Sequence, residues 1–204
     1  DELPEFQKEA LEALRQPLED GEVTITRAAG TLRLPSRFML VCAMNPCRCG
    51  WYGHPSGRCT CSDAAVQKYV SRISGPLLDR IDLHVRVPSV EYSAMRRKST
   101  PEDSATVRAR VNAARAIQQK RFEGTGVACN AYMTPAMLAE CCALDSAGER
   151  LMKNAFETMG LTARSHDRIL RVGRTIADLD GAEHIEPAHL AEAIQYRNTD
   201  ILKG

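Results

Sequence analysis

The spacing of hydrophobic positions changes along the chain and divides it in two. Between residues 5 and 19, Phe6, Ala10, Leu14 and Leu18 recur every four residues, which predicts a helix closed by Asp20-Gly21. Val23 to Arg27 and Thr31 to Leu34 alternate about Ala28-Ala29-Gly30, a β-hairpin with glycine at its turn. Phe38 to Ala43 is unbroken apolar sequence, the pattern of a strand buried on both faces. Residues 46–63 show no period and hold Gly50, Gly53, Gly57 and four cysteines. A short helix over Ala64 to Ile73 and a second strand over Ile81 to Val87, stopped by Pro88, complete this half.

The second half is helical throughout. Residues 88 to 103 are polar, with Pro88, Pro101 and Arg96-Arg97-Lys98, and a linker is expected over 93–103. Val107, Val111, Ala114 and Ile117 stripe a helix from about 102 to 122. Thr134-Pro135 starts another, running to about 143. Ser146 and Glu149 have capping-box spacing for the next, which Gly160 stops. Thr162 to Asp180 carries Ile169, Leu170, Val172, Ile176 and Leu179 and ends at Gly181; Pro187 starts the last helix, with Leu190, Ala191, Ala193 and Ile194. The expected organisation is α/β over residues 1–92, with a Cys-rich knuckle at 46–63, followed by an all-α domain over 104–204. Two central strands are too few for a parallel sheet, so the chain is expected to be truncated at its N-terminus.

Composition narrows the function classes. The 204 residues are 44% hydrophobic and 26% charged, values of a globular chain able to bury a core. A net charge of +1 excludes a uniformly basic coat, so any nucleic-acid contact is a local patch. No apolar run approaches the roughly 20 residues of a membrane span, and Asp1-Glu2-Leu3-Pro4 is not a signal peptide. Four of the eight cysteines cluster within residues 47 to 61, unlike the even spread of a secreted disulfide scaffold. The reading is a reducing cytoplasm, one metal cluster, and buried thiols elsewhere, Cys141-Cys142 among them.

Cys47-x-Cys49, nine residues, then Cys59-x-Cys61 is a candidate structural Zn²⁺ site, because two close pairs let four thiolates converge tetrahedrally. The intervening glycines permit the reversal, and a metal would replace the core that this segment lacks. His54 is a reserve ligand. The alternatives are four free thiols or two disulfides. Arg48, Trp51 and Arg58 decorate the same loop, where they either stack on nucleic acid or pack under the knuckle. Arg27 and Arg33 lie on the hairpin, where they either grip phosphates or keep an exposed edge soluble. Arg108, Arg110, Arg115, Lys120 and Arg121 give the helix after the linker a basic face, which is either solvated or a DNA contact.

Asp1-Glu2-Leu3-Pro4-Glu5-Phe6, Ala43-Met44-Asn45-Pro46-Cys47, the Cys cluster, the run Gly75 to Val85 (GPLLDRIDLHV) and Leu161 to Leu179 (LTARSHDRILRVGRTIADL) together resemble the magnesium-chelatase-like AAA+ ATPases of the ComM/YifB type. The resemblance covers nearly the whole chain. It implies the latter part of an AAA+ P-loop ATPase core, holding a truncated sheet, the hairpin and the knuckle, followed by a helical lid. It implies an ATP-driven hexameric ring acting on DNA, with ATP and Mg²⁺ as cofactors, as in branch migration during natural transformation. By resemblance, Asp1 is the Mg²⁺-associated acid, Glu2 the base that orients water, Asn45 the first sensor and Arg80 an arginine finger. Without it, Asn45 reads as a turn residue before Pro46, and Arg80 as a surface arginine paired with Asp79 or Asp82. Arg164 is the expected second sensor, with Arg168 and Arg171 as its competitors. No G-x-x-x-x-G-K-[ST] loop occurs in these residues, so the chain alone is not expected to hydrolyse ATP. Two other functions share parts of the pattern: a metal chelatase ATPase subunit, and a zinc-stabilised binding module with no motor.

Overall fold

A computed structural model describes residues 1–90 and 101–197. The chain forms two compact units that divide after Ile81. Most of the expected linker, including Arg96-Arg97-Lys98, lies outside the described residues.

In the first unit a 3-10 turn, Leu3–Glu5, precedes α1 (Lys8–Ala13) and α2 (Arg15–Asp20). The single helix expected over residues 5 to 19 is thus broken at Leu14. Pro17 supplies the reason: it has no N–H to donate to the Ala13 carbonyl, so the ladder is interrupted one turn upstream. The hairpin forms as expected. β1 (Glu22–Arg27) pairs antiparallel with β2 (Gly30–Pro35), and Arg27 faces Gly30 across a two-residue loop. Its pairs sort the faces: Val23/Leu34 and Ile25/Leu32 on one, Thr24/Arg33 and Thr26/Thr31 on the other.

The two buried strands are not formed. Residues 38–43 and 81–87 carry no strand assignment, and the hairpin is the one sheet among the described residues. Met39 and Val41 are 87% and 77% exposed, while Cys42 and Met44 face inward against Leu3, Leu11, Ile73 and Leu77. An apolar run becomes a ladder only where another strand supplies donors and acceptors. Here Ala43 accepts a backbone bond from Leu3 (3.1 Å) instead. The knuckle follows, then α3 (Asp63–Val70), capped by Ser62, and α4 (Gly75–Leu78), capped by Ser74.

The second unit holds α5 (Ser104–Arg121), a 3-10 turn at Asn130–Tyr132, α6 (Pro135–Cys141), α7 (Ser146–Met159), α8 (Ala163–Asp180) and α9 (Pro187–Gln195). Thr134 caps α6 as expected, and Thr162 caps α8. For α7 the cap is Asp145, which accepts from the Gly148 amide at 2.7 Å, so Ser146 is displaced into the first turn. Asp outcompetes Ser here because a carboxylate also meets the positive helix end. Phe122, Met133, Leu138, Met152, Ile169, Ile185 and Leu190 form the core.

The stripe expected on α5 is largely exposed: Val107, Val111 and Ile117 face solvent and only Ala114 of the four is buried. The inward face is Ala114, Gln118, Arg121 and Phe122, and it is polar because it serves a buried carboxylate. Asp178, 2% exposed, accepts from Arg121 Nη1 (2.8 Å), Asn130 Nδ2 (2.8 Å) and Arg174 Nε (3.1 Å). Arg174 also donates to the carbonyls of Ala182 (2.6 Å) and Glu183 (2.8 Å), fastening the chain that leaves α8. Burial raises the Asp178 pKa, but the bonds from Arg121 and Asn130 outweigh it and hold the carboxyl below its usual range.

Candidate functional site

The four clustered cysteines converge. Their sulfurs all lie within 4.8 Å of one another, with Cys47–Cys49 at 3.3 Å, Cys49–Cys59 at 3.6 Å and Cys47–Cys59 at 3.8 Å. A tetrahedral Zn²⁺ with bonds of about 2.3 Å requires sulfur–sulfur edges of about 3.8 Å, so the donor set fits a thiolate-bound metal. Three tight turns shape the loop: Gly50 bonds back to Cys47, His54 to Trp51 and Gly57 to His54. All three glycines take φ between 65° and 81°, a region that side chains disfavour.

The electrostatics suit a cation bound among these sulfurs. Backbone amides of Trp51 and Thr60, then Cys47, pull the Cys49 pKa down to about 6. At Cys59 the Cys61 amide pulls downward, but burial and the sulfurs of Cys49 and Cys47 prevail and push it to about 12. Four adjacent thiols cannot all ionise unless a cation compensates them. Amides aimed at cysteine sulfurs are also the usual outer shell of a thiolate metal site. His54 is not part of the cluster; its Nδ1 is 2.7 Å from the Ser56 hydroxyl. Trp51 meets the His54 ring edge-on (4.9 Å between centroids), and the Arg58 guanidinium lies 5.1 Å over it. Trp51 and Arg58 thus pack on one another within the knuckle, and Arg48 reaches out to Glu5 at 3.8 Å.

The residues expected around a nucleotide are placed as follows. Asp1 and Glu2 are exposed and border a depression of about 280 Å³ with Glu5 and Phe6. Glu2 adopts a left-handed backbone (φ 52°, ψ 45°), the one non-glycine residue to do so among those described. Such strain concentrates at functional positions. The Leu3–Ala43 bond ties this turn to the segment leading to Asn45. Asn45 is exposed, and its amide is 4.0 Å from where a Cβ at Gly50 would sit. The knuckle is therefore contiguous with Asn45.

Arg80 pairs with Glu19. Its Nε lies 3.1 Å from Glu19 Oε2 and its Nη1 donates to the Pro76 carbonyl at 2.7 Å. In the second unit Arg164 is exposed on the first turn of α8. Arg168 pairs with Asp82, and Arg171 Nη2 donates to the Met133 carbonyl at 3.0 Å. Arg27 and Arg33 are exposed on opposite faces of the hairpin. Glu19 and Glu5 were not legible as site residues, since acids on an amphipathic helix or in a polar turn look solvated.

Comparison with known proteins decides the family. Residues 1–95 match the family of magnesium chelatase, subunit ChlI, and residues 101–197 match the C-terminal family of the same subunit. The chain is 41% identical over 198 residues to the competence protein ComM of Haemophilus influenzae, covering 97% of this chain and 38% of the relative. It is a magnesium-chelatase-like protein of the ComM/YifB type. YifB of Escherichia coli is 39% identical over 203 residues, 99% of this chain and 39% of its own length. A Mycobacterium tuberculosis protein is 37% identical over 199 residues, 98% and 39% respectively. The chain thus spans about two fifths of the length of the curated relatives it matches. No helix among the described residues is long and apolar enough to cross a membrane.

Proposed function

We propose that this chain is part of a cytoplasmic, ring-forming AAA+ ATPase that couples ATP hydrolysis to DNA remodelling such as branch migration, and that the activity belongs to the longer protein. The observation that carries the proposal is 41% identity, along almost the whole chain, to a protein named for competence. The family motifs keep Asp1-Glu2, Asn45, Arg80 and Arg164 in order along it. The phosphate-binding loop would come from sequence outside these residues.

In this reading ATP sits between neighbouring subunits. Asp1 would hold Mg²⁺, which neutralises phosphate charge when bound. Glu2 accepts a proton from the attacking water. The Asn45 amide orients that water. Arg80 brings a planar, permanent charge to the neighbour's phosphates. Arg164, on the first turn of α8, links nucleotide state to the helical unit. The hairpin, with Arg27 near its tip, follows the DNA backbone. Cys47, Cys49, Cys59 and Cys61 would hold a structural Zn²⁺, which supplies no chemistry but fixes the loop beside Asn45.

Glu2→Gln and Arg80→Ala in the full-length protein test the assignment. Each should lower ATP turnover by about 10²-fold or more, consistent with loss of a general base or of an arginine finger. Normal hydrolysis by an assembled Arg80→Ala protein would remove the finger role.

A further inference from the structure

Arg80 is held close to the body of the first unit. It follows the four-residue helix α4, where its amide bonds to the Leu77 carbonyl at 3.0 Å. Its side chain is 11% exposed, and Glu19 approaches its Nε while Pro76 takes its Nη1. The Glu19 carboxylate sits beside Nε as a counter-charge and the Pro76 carbonyl accepts from Nη1, and together they favour one orientation of the planar fork. A partly desolvated guanidinium keeps such a position only while its counter-charge is present.

Glu19 has a second connection. It is the penultimate residue of α2, and only Asp20 and Gly21 separate it from β1. The base of the hairpin is closed onto the same point, because Ser36, just after β2, donates to the Gly21 carbonyl at 2.7 Å. Gln16, also on α2, donates to the Thr24 hydroxyl on β1 at 3.3 Å. The hairpin base, α2 and the carboxylate beside Arg80 thus form one connected run of contacts.

We infer that Glu19 is a positioning residue for Arg80, coupling the base of the hairpin to the orientation of the guanidinium. The inference rests on the proposed finger role of Arg80. Glu19 touches neither phosphate nor water; it acts by presenting Arg80 in one orientation, which matters because misalignment at a reacting centre costs rate steeply.

The test uses the full-length protein, with steady-state ATP hydrolysis measured with and without branched DNA. Glu19→Ala should lower the DNA-stimulated kcat about tenfold, leave the KM for ATP within twofold, and reduce the ratio of stimulated to basal rate. Glu19→Gln, which keeps an acceptor oxygen and loses the charge, should fall between Glu19→Ala and wild type, and it decides the matter if Glu19→Ala does not fold. Arg80→Ala should abolish turnover, with the double variant no worse. Glu19 variants with wild-type kcat and stimulation beside an inactive Arg80→Ala would overturn this inference and leave the finger. Normal turnover by Arg80→Ala would overturn both.

Discussion

Removing metal from the knuckle should unravel residues 46–63 and leave the helices standing. Among the apolar side chains of this segment Cys47 is the one fully buried, so the loop has no core to hold it. Ordering the backbone of eighteen residues costs at least about 1 kcal/mol each, or roughly 18 kcal/mol. A structural Zn²⁺ contributes about 10–16 kcal/mol in comparable sites. The turn bonds at Gly50, His54 and Gly57 add about 1 kcal/mol apiece, which nearly closes the difference. The chain carries a convenient reporter, since its single tryptophan, Trp51, stacks with Arg58 inside the loop. Purified protein should contain one zinc per chain by elemental analysis. A strong chelator should then expose four further thiols to a colorimetric reagent and shift Trp51 emission to the red. The 222 nm ellipticity should hardly move, because the helices lie outside the loop. Cys47→Ser should lose metal at a chelator concentration that the native protein withstands. Protein that carries no metal, and whose thiol reactivity added zinc does not change, would refute the reasoning.

Other consequences follow from the second unit and the hairpin. Asp178→Ala leaves Arg174 buried without its counter-charge, a loss of about 3–5 kcal/mol, which should lower the melting temperature by about 6–20 °C. Because Asp178 is held below the usual carboxylate range, its stabilisation is complete above the unfolded pKa of about 4 and disappears as pH falls through the lower folded value. Asp178→Asn should therefore flatten the acid limb of stability against pH, as denaturant titrations at several pH values would show. Thr162→Ala deletes the cap that accepts from Ser165 at 3.2 Å and should cost about 1 kcal/mol in the same titration. Arg27→Ala in the full-length protein should weaken DNA binding equally across sequences and reduce the slope of log K against log salt by about 1.

How much could be read from the chain depended on whether the deciding interaction was local. The hairpin, the cap at Thr134 and the Cys cluster are set by nearby residues, and all were legible. Pro17 was local too; its missing donor marked the break between α1 and α2 within an otherwise regular fourfold stripe. The run from Phe38 to Ala43 was misread because strand formation depends on partners, and hydrophobicity says only that a segment seeks cover. On α5 the aliphatic stripe misled for the opposite reason: the buried face is written in Gln118 and Arg121, whose partners Asn130 and Asp178 lie far along the chain. Arg80 shows the same limit. Its charge and motif were plain, but nothing near Glu19 in sequence points to α4.

The central claim is that the longer protein is a DNA-dependent motor, and its ATP hydrolysis rate with and without branched DNA tests it most directly. The account predicts a clear DNA-dependent rise in turnover by an assembled ring. Vigorous hydrolysis indifferent to DNA would contradict it in favour of a chelatase-like ATPase, and no hydrolysis by a folded, oligomeric sample would leave a zinc-stabilised binding module.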